Sequence, residues 1–131
     1  MVITDSIGDL IIRLKNANRV GKETVVVSAS KLKEAVANAL KRAGFVAGVS
    51  KKGKDSRFIE IALSYGAEKA PKITGVQRIS KPSRRVYQSS KDVRIFKNGF
   101  GTTIISTPKG ILSDKEVKKE KVGGEIMFKI W

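Results

Sequence analysis

Apolar residues Ile7, Leu10, Ile11 and Leu14 recur at the three- and four-residue intervals of one helix face, and Ala17 prolongs the stripe. Thr4 or Asp5 can cap this helix, and Asp5 and Asp9 suit the positive end of its dipole, with Arg13, Lys15 and Arg19 toward the other end. The β-branched run at 23–27 predicts a short strand. A serine in 28–30 can then cap a second helix whose buried face is Leu32, Ala35, Val36, Ala39, Leu40 and Ala43, with Gly44 as its left-handed terminator. Two strands follow, at 45–50 and 57–63, around the polar loop Lys51-Lys52-Gly53-Lys54-Asp55. The alternation Arg57-Phe58-Ile59-Glu60-Ile61 leaves one face of the second strand exposed. Helix, strand, helix, strand, strand make an α+β unit with its helices on one sheet face.

Gly66, Ala67, Ala70 and Pro71 break both periodicities, so a boundary is expected in 65–72, dividing an N-terminal α+β subdomain (1–66) from a strand-rich C-terminal one (67–131). The second half predicts a strand at 75–80, then a turn at Lys81-Pro82-Ser83 leading into 84–87. A strongly β-branched strand is expected at 102–106, a short helix opened by the capping box Ser113-Asp114-Lys115-Glu116 and ended by Gly123-Gly124, and a terminal strand with Ile126, Phe128 and Ile130 on one face. Phe45, Phe58, Phe100 and Phe128 are assigned to the core. The fold class is α+β: two small packed subdomains, the second with one short helix.

Composition narrows the function. The 131 residues contain no cysteine and no histidine, which removes disulfides, thiolate metal centres, cysteine nucleophiles and the usual general base. No cofactor or metal site is expected, and an enzyme is not. Lys and Arg number 27 against 12 Asp and Glu, a formal net charge of +15. The excess peaks at 69–97, where Lys69, Lys72, Arg78, Lys81, Arg84, Arg85, Lys91, Arg94 and Lys97 face only Asp92. Such a chain repels itself unless counterions or a polyanion neutralise it. The bases lie among β-branched residues and turn formers, not along one amphipathic helix, so nucleic acid fits better than a membrane surface. With no long apolar run and an acid in place of a basic leader region, the chain reads as cytoplasmic.

Two catalytic look-alikes fail on context. The stretch from Gly48 to Asp55 approaches a phosphate-binding loop, but Asp55 stands where Ser or Thr must hold magnesium, and a strand follows instead of a helix. Ser106-Thr107-Pro108-Lys109 fits the Ser-x-x-Lys pattern of acylating enzymes, but their companion elements are missing and Pro108 opposes a helical placement. The same residues, with Gly110, also suit a nucleic-acid loop: hydroxyls can bond bases, sugars and phosphates, and the lysine adds a point charge. An ordinary strand-to-helix turn is the alternative. Tyr87 can stack on an unpaired base or sit half-buried in a sheet. Glu125 can accept from a guanine amino group or a 2′-hydroxyl, or brace a neighbouring lysine.

Several segments occur in the order of one family. They are Asp5-Ser6-Ile7-Gly8-Asp9-Leu10 with Arg13-Leu14-Lys15-Asn16-Ala17; Ser30-Lys31-Leu32-Lys33 with Gly44-Phe45; Arg78-Ile79-Ser80-Lys81-Pro82-Ser83 with Arg84-Arg85-Val86-Tyr87; and Gly99-Phe100-Gly101, Ser106-Thr107-Pro108-Lys109-Gly110 and Gly123-Gly124-Glu125-Ile126. Over essentially its full length the chain resembles bacterial small-subunit ribosomal protein eight. The resemblance implies a structural constituent of the small subunit, a primary binder of an internal-loop helix in the central domain of small-subunit rRNA, acting early in assembly beside neighbouring small-subunit proteins. It also implies, for many members, repression of their own operon through an mRNA site that mimics the rRNA. Carried over, Ser106, Thr107 and Lys109 line the contact loop and Gly110 permits close approach. Tyr87 and the turn containing Gly124 and Glu125 share that surface, while Arg13, Asn16 and Lys31 add N-terminal contacts. The chain departs from the family pattern after Tyr87, where Lys91-Asp92 runs into Val93-Arg94-Ile95, leaving the path of 88–98 open. The competing reading is a general nucleic-acid chaperone or compaction protein that binds any duplex by charge.

Overall fold

Helix α1 (Ser6–Arg19) buries the whole predicted stripe, Ile7, Leu10, Ile11, Leu14 and Ala17. It opens a computed structural model that describes residues 5–81, 83–94 and 101–131. The chain folds into two units, residues 7–74 and residues 75–131 with Asp5 and Ser6.

In the first unit α1 is followed by β1 (Thr24–Ser28), α2 (Lys31–Arg42), β2 (Val46–Lys52) and β3 (Phe58–Leu63), the order the periodicities predict. The strands form an antiparallel sheet in the order β1-β3-β2, with Val25 opposite Ile61 and Val27 opposite Ile59. Ser30 caps α2, its hydroxyl accepting from Lys33 N at 3.1 Å. Gly44, at φ +89°, stops the helix, and Phe45 N donates to Leu40 O at 2.9 Å. Two core assignments need correction. Leu32, one turn ahead of buried Val36, is 43% exposed, whereas the unassigned Ala37 is fully buried. Phe58 is 44% exposed because strand parity groups it with Glu60, while Ile59, Ile61 and Leu63 point inward. Asn18 follows the α1 stripe and is also buried. Its amide donates to Ser64 O at 3.0 Å and accepts from Ile73 N at 2.9 Å, which ties the helix to the segment after β3. That segment, 65–72, lies in the first unit, with Tyr65 bridged to Pro71.

The second unit contains β4 (Val76–Arg78), β5 (Tyr87–Gln88), β6 (Thr102–Thr107), β7 (Gly110–Ser113), α3 (Asp114–Glu120) and β8 (Gly124–Ile130). Its antiparallel sheet runs β4-β8-β6-β7, and β5 also pairs with β8. Between β4 and β5, Lys81 and Arg84 exchange backbone hydrogen bonds at 2.8 and 3.0 Å. The buried Ser80 hydroxyl accepts from Val86 N at 2.8 Å and donates to Val86 O at 3.2 Å. Asp92 N then donates to Ser89 O at 3.0 Å, and Val93 is buried. Of the open 88–98 path, residues 95–98 lie outside the described residues, as does Phe100.

The expectation that Ile126, Phe128 and Ile130 share one face of β8 is overturned. Adjacent Ile104 and Ile105 in β6 pair with Phe128 and Ile126, so Met127 is an extra residue in β8 and the parity flips there. Ile126 joins Ile105, Val93 and Val117 in a cluster against α3, while Phe128 and Ile130 lie on the other face. The capping box forms as predicted: Ser113 Oγ accepts from Glu116 N at 3.3 Å, and Glu116 Oε1 accepts from Ser113 N at 3.0 Å. The helix stops earlier than expected, at Lys121 with φ +57°, leaving Gly123-Gly124 a different task.

Candidate nucleic-acid interface

Val86 packs on the buried cluster. Alternation along the strand then turns Arg85 and Tyr87 to the opposite face. Tyr87 pairs with Glu125 of β8, and Glu125 pairs on its other side with Ser106 of β6. Residues directly opposite in neighbouring strands share a face. Tyr87, Glu125 and Ser106 therefore form one lateral row, facing away from the cluster of Val93, Ile105, Val117 and Ile126. Tyr87 is 69% exposed, as a stacking platform must be. Among the described residues the Ser106 hydroxyl has no hydrogen-bond partner.

Gly123 and Gly124 allow a close backbone approach at one end of the row. A Cβ on Gly124 would run into the backbone oxygen of Ser106, and one on Gly123 into that of Gln88. The two glycines let β8 lie tightly between β5 and β6. Gly124 therefore shapes the surface with its backbone and presents no side chain to it.

Thr107 and Lys109 sit at the adjoining β6–β7 hairpin, whose strand β7 was not expected from the sequence. Thr107 pairs with Gly110, leaving Pro108 and Lys109 as the tip. The Thr107 hydroxyl donates to Gly110 O at 2.8 Å and accepts from Lys109 N at 3.1 Å, so it holds the turn closed. Gly110 has φ +117°, a conformation that favours glycine. Lys109 Nζ lies 3.3 Å from Glu120 Oε2, and both side chains are about half exposed, at 56% and 48%. Such a pair is screened by solvent and holds its lysine weakly. No Ser–Lys catalytic pair forms, and among the described residues no cluster of acids is placed to hold a metal ion.

The neighbour braced by Glu125 is Arg85, not a lysine. A single guanidinium nitrogen, Nη1, donates to both carboxylate oxygens, at 3.1 and 3.0 Å. The hydrogen bond to Glu125, then that residue's charge, raise the Arg85 pKa. Composition and spacing alone single out no role for Arg85. The signal was available in Arg85-Val86-Tyr87, where strand alternation puts Arg85 on the face of the aromatic.

In the first unit Arg13 and Asn16 are exposed and line one cleft with Val20 and Lys22 between α1 and β1. Arg13 Nη2 also donates to Val26 O at 3.3 Å. Lys33 Nζ does the same for Ser28 O at 3.4 Å. Both carbonyls belong to β1, an edge strand, so these cations cover groups that would otherwise pair with another chain. Lys31 is exposed in the first turn of α2.

These pieces define a small basic α+β protein whose distinguishing surface is a sheet face with an aromatic, a paired carboxylate and hydroxyls, built for contact and not for catalysis. The chain belongs to the ribosomal protein S8 family, whose sequence profile matches residues 5–131. It is similar to small ribosomal subunit protein uS8 of Clostridioides difficile, at 45% identity with both chains covered completely. The uS8 proteins of Chloroflexus aurantiacus and Bacillus mycoides are each 42% identical to it, again over the whole of both chains. Membership makes this a structural, non-enzymatic ribosomal protein.

Proposed function

We propose that this protein is a primary rRNA-binding constituent of the small ribosomal subunit, seated on an internal-loop helix in the central domain and promoting subunit assembly. As a member of its family it works in the cytoplasmic ribosome, beside other ribosomal proteins. No helix among the described residues is long and apolar enough to cross a membrane. The observation that carries the RNA reading is the register placing Tyr87, Glu125 and Ser106 in one row beside the Lys109 hairpin, with the aromatic exposed. A regular A-form major groove is too narrow for side chains, whereas an internal loop offers unstacked bases and an irregular backbone. An aromatic face, an acceptor and a free hydroxyl suit the loop; Lys109 supplies charge to a phosphate. Gly110 and Gly124 let the backbone come close, and Thr107 fixes the hairpin. Arg13, Asn16 and Lys31 are contacts made by the first unit. The C-terminal residues 67–131 carry most of the specificity in this reading, and an mRNA of its own operon that copies the loop would compete for the same row.

A charge-driven chaperone is the rival, and it needs no such row. The test is competition at near-physiological salt. The labelled ligand is a central-domain rRNA fragment containing the internal-loop helix, and the competitor is a fully paired RNA of equal length. Retention of the fragment against excess duplex is the expected result. Equal displacement would reduce the protein to a polycation and overturn the proposal.

A further inference from the structure

Glu125 is an unusual residue to find at the centre of a surface meant for a polyanion. Its side chain is only 15% exposed, and Arg85 is its one ion-pair partner among the described residues. An ionised carboxylate has about four acceptor positions, and Arg85 Nη1 occupies one on each oxygen. Across the sheet Glu125 is flanked by Tyr87 on one side and Ser106 on the other. Adjacent strands lie about 4.8 Å apart, so the three side chains span about 10 Å.

From this arrangement, and resting on the RNA-binding reading above, we infer that Arg85 is a specificity-determining positioning residue: it holds Glu125 as the hydrogen-bond acceptor of a subsite for one unpaired nucleotide, between Tyr87 and Ser106. The ligand chemistry is a donor, either the amino edge of an unpaired base or a ribose 2′-hydroxyl. Arg85 acts here through Glu125. It fixes the carboxylate plane toward the donor. A cation that merely met a phosphate would have no need to be anchored on a carboxylate.

This separates two roles that a single substitution confuses. A phosphate contact adds affinity for every RNA, and its removal lowers the salt slope by about 0.7–0.9. A positioning residue acts only where the nucleotide is present, and only while Glu125 is charged. The experiment measures the affinity of the full chain and its Arg85→Lys, Arg85→Ala, Glu125→Gln and Arg85→Ala/Glu125→Gln variants. The ligands are the internal-loop fragment and the paired RNA, each across a salt series. Arg85→Ala should lose tenfold or more on the fragment with little change on the duplex and a nearly constant salt slope. The double variant should bind no more weakly than Glu125→Gln alone, since without the charge there is nothing for Arg85 to hold. Arg85→Lys should recover part of the loss. Fragments with single 2′-deoxy or inosine-for-guanosine substitutions then tell the ribose donor from the base donor.

Equal loss of Arg85→Ala on both RNAs with a lower salt slope, additive with Glu125→Gln, would make Arg85 a phosphate contact and overturn the inference while leaving the RNA-binding reading in place. A wild-type chain that fails to prefer the fragment removes both.

Discussion

Ser106 and Gly124 are neighbours across β6 and β8, and their substitution should fail in opposite ways. The Ser106 hydroxyl has no partner among the described residues, so Ser106→Ala should change stability by less than about 0.5 kcal/mol. It should nevertheless erase much of the preference for the internal-loop fragment over duplex, with the salt slope nearly unchanged. Gly124→Ala instead drives a methyl group into the backbone oxygen of Ser106. The strands must part, at a cost of about 1–3 kcal/mol as for other overpacked sites, visible as a lower urea midpoint. RNA binding should fall with it, because the row loses its spacing. Lys109→Ala gives a third signature: affinity lost on both RNAs and a salt slope reduced by about 0.7–0.9. Equal loss on specific and paired RNA for Ser106→Ala would collapse the distinction between shape reading and charge.

At the scale of elements, what was legible depended on whether a signal was local. The α1 stripe, the Ser30 cap, the Gly44 stop and the Ser113 capping box are written within one or two turns of chain, and each forms. The capping box should be worth about 1 kcal/mol, so Ser113→Ala should lower stability by that amount in a denaturant titration while Ser106→Ala does not. Non-local register was not legible. Nothing in Glu125-Ile126-Met127-Phe128 announces an extra residue at Met127, because a bulge is defined by the partner strand. Strand β7 was hidden for a related reason: the four residues Gly110–Ser113 are too few to show a period, and they become a strand only by pairing with β6. The candidate site was half visible. Its residue types could be named from the sequence, but the lateral order Tyr87–Glu125–Ser106 belongs to the sheet, and so does the task of Gly124. Arg85 does not stand out among nine bases, because charge density does not say which cation is anchored.

At the scale of the molecule, a net charge of +15 on 131 residues opposes folding in the free protein and favours binding to a polyanion. Twelve acids can offset at most twelve of the 27 bases, however they pair. Arg78 is held by Asp5, donating to both carboxylate oxygens at 2.9 and 3.2 Å, with the pair 14% and 29% exposed. Lys109–Glu120 is open to solvent. Most of the repulsion is therefore left to mobile ions, whose screening length shortens from about 30 Å at 0.01 M salt to about 8 Å at 0.15 M. The thermal midpoint of the isolated protein should accordingly rise as sodium chloride is added over that range. Its affinity for RNA should fall over the same range, as counterion release becomes less favourable. The two trends have one cause, since free ions and RNA compete to neutralise the same lysines and arginines. A midpoint that stays flat or falls with salt, measured by thermal melting at fixed pH, would mean that self-repulsion does not limit the stability of the fold, and that the charge excess is no argument for a polyanionic partner.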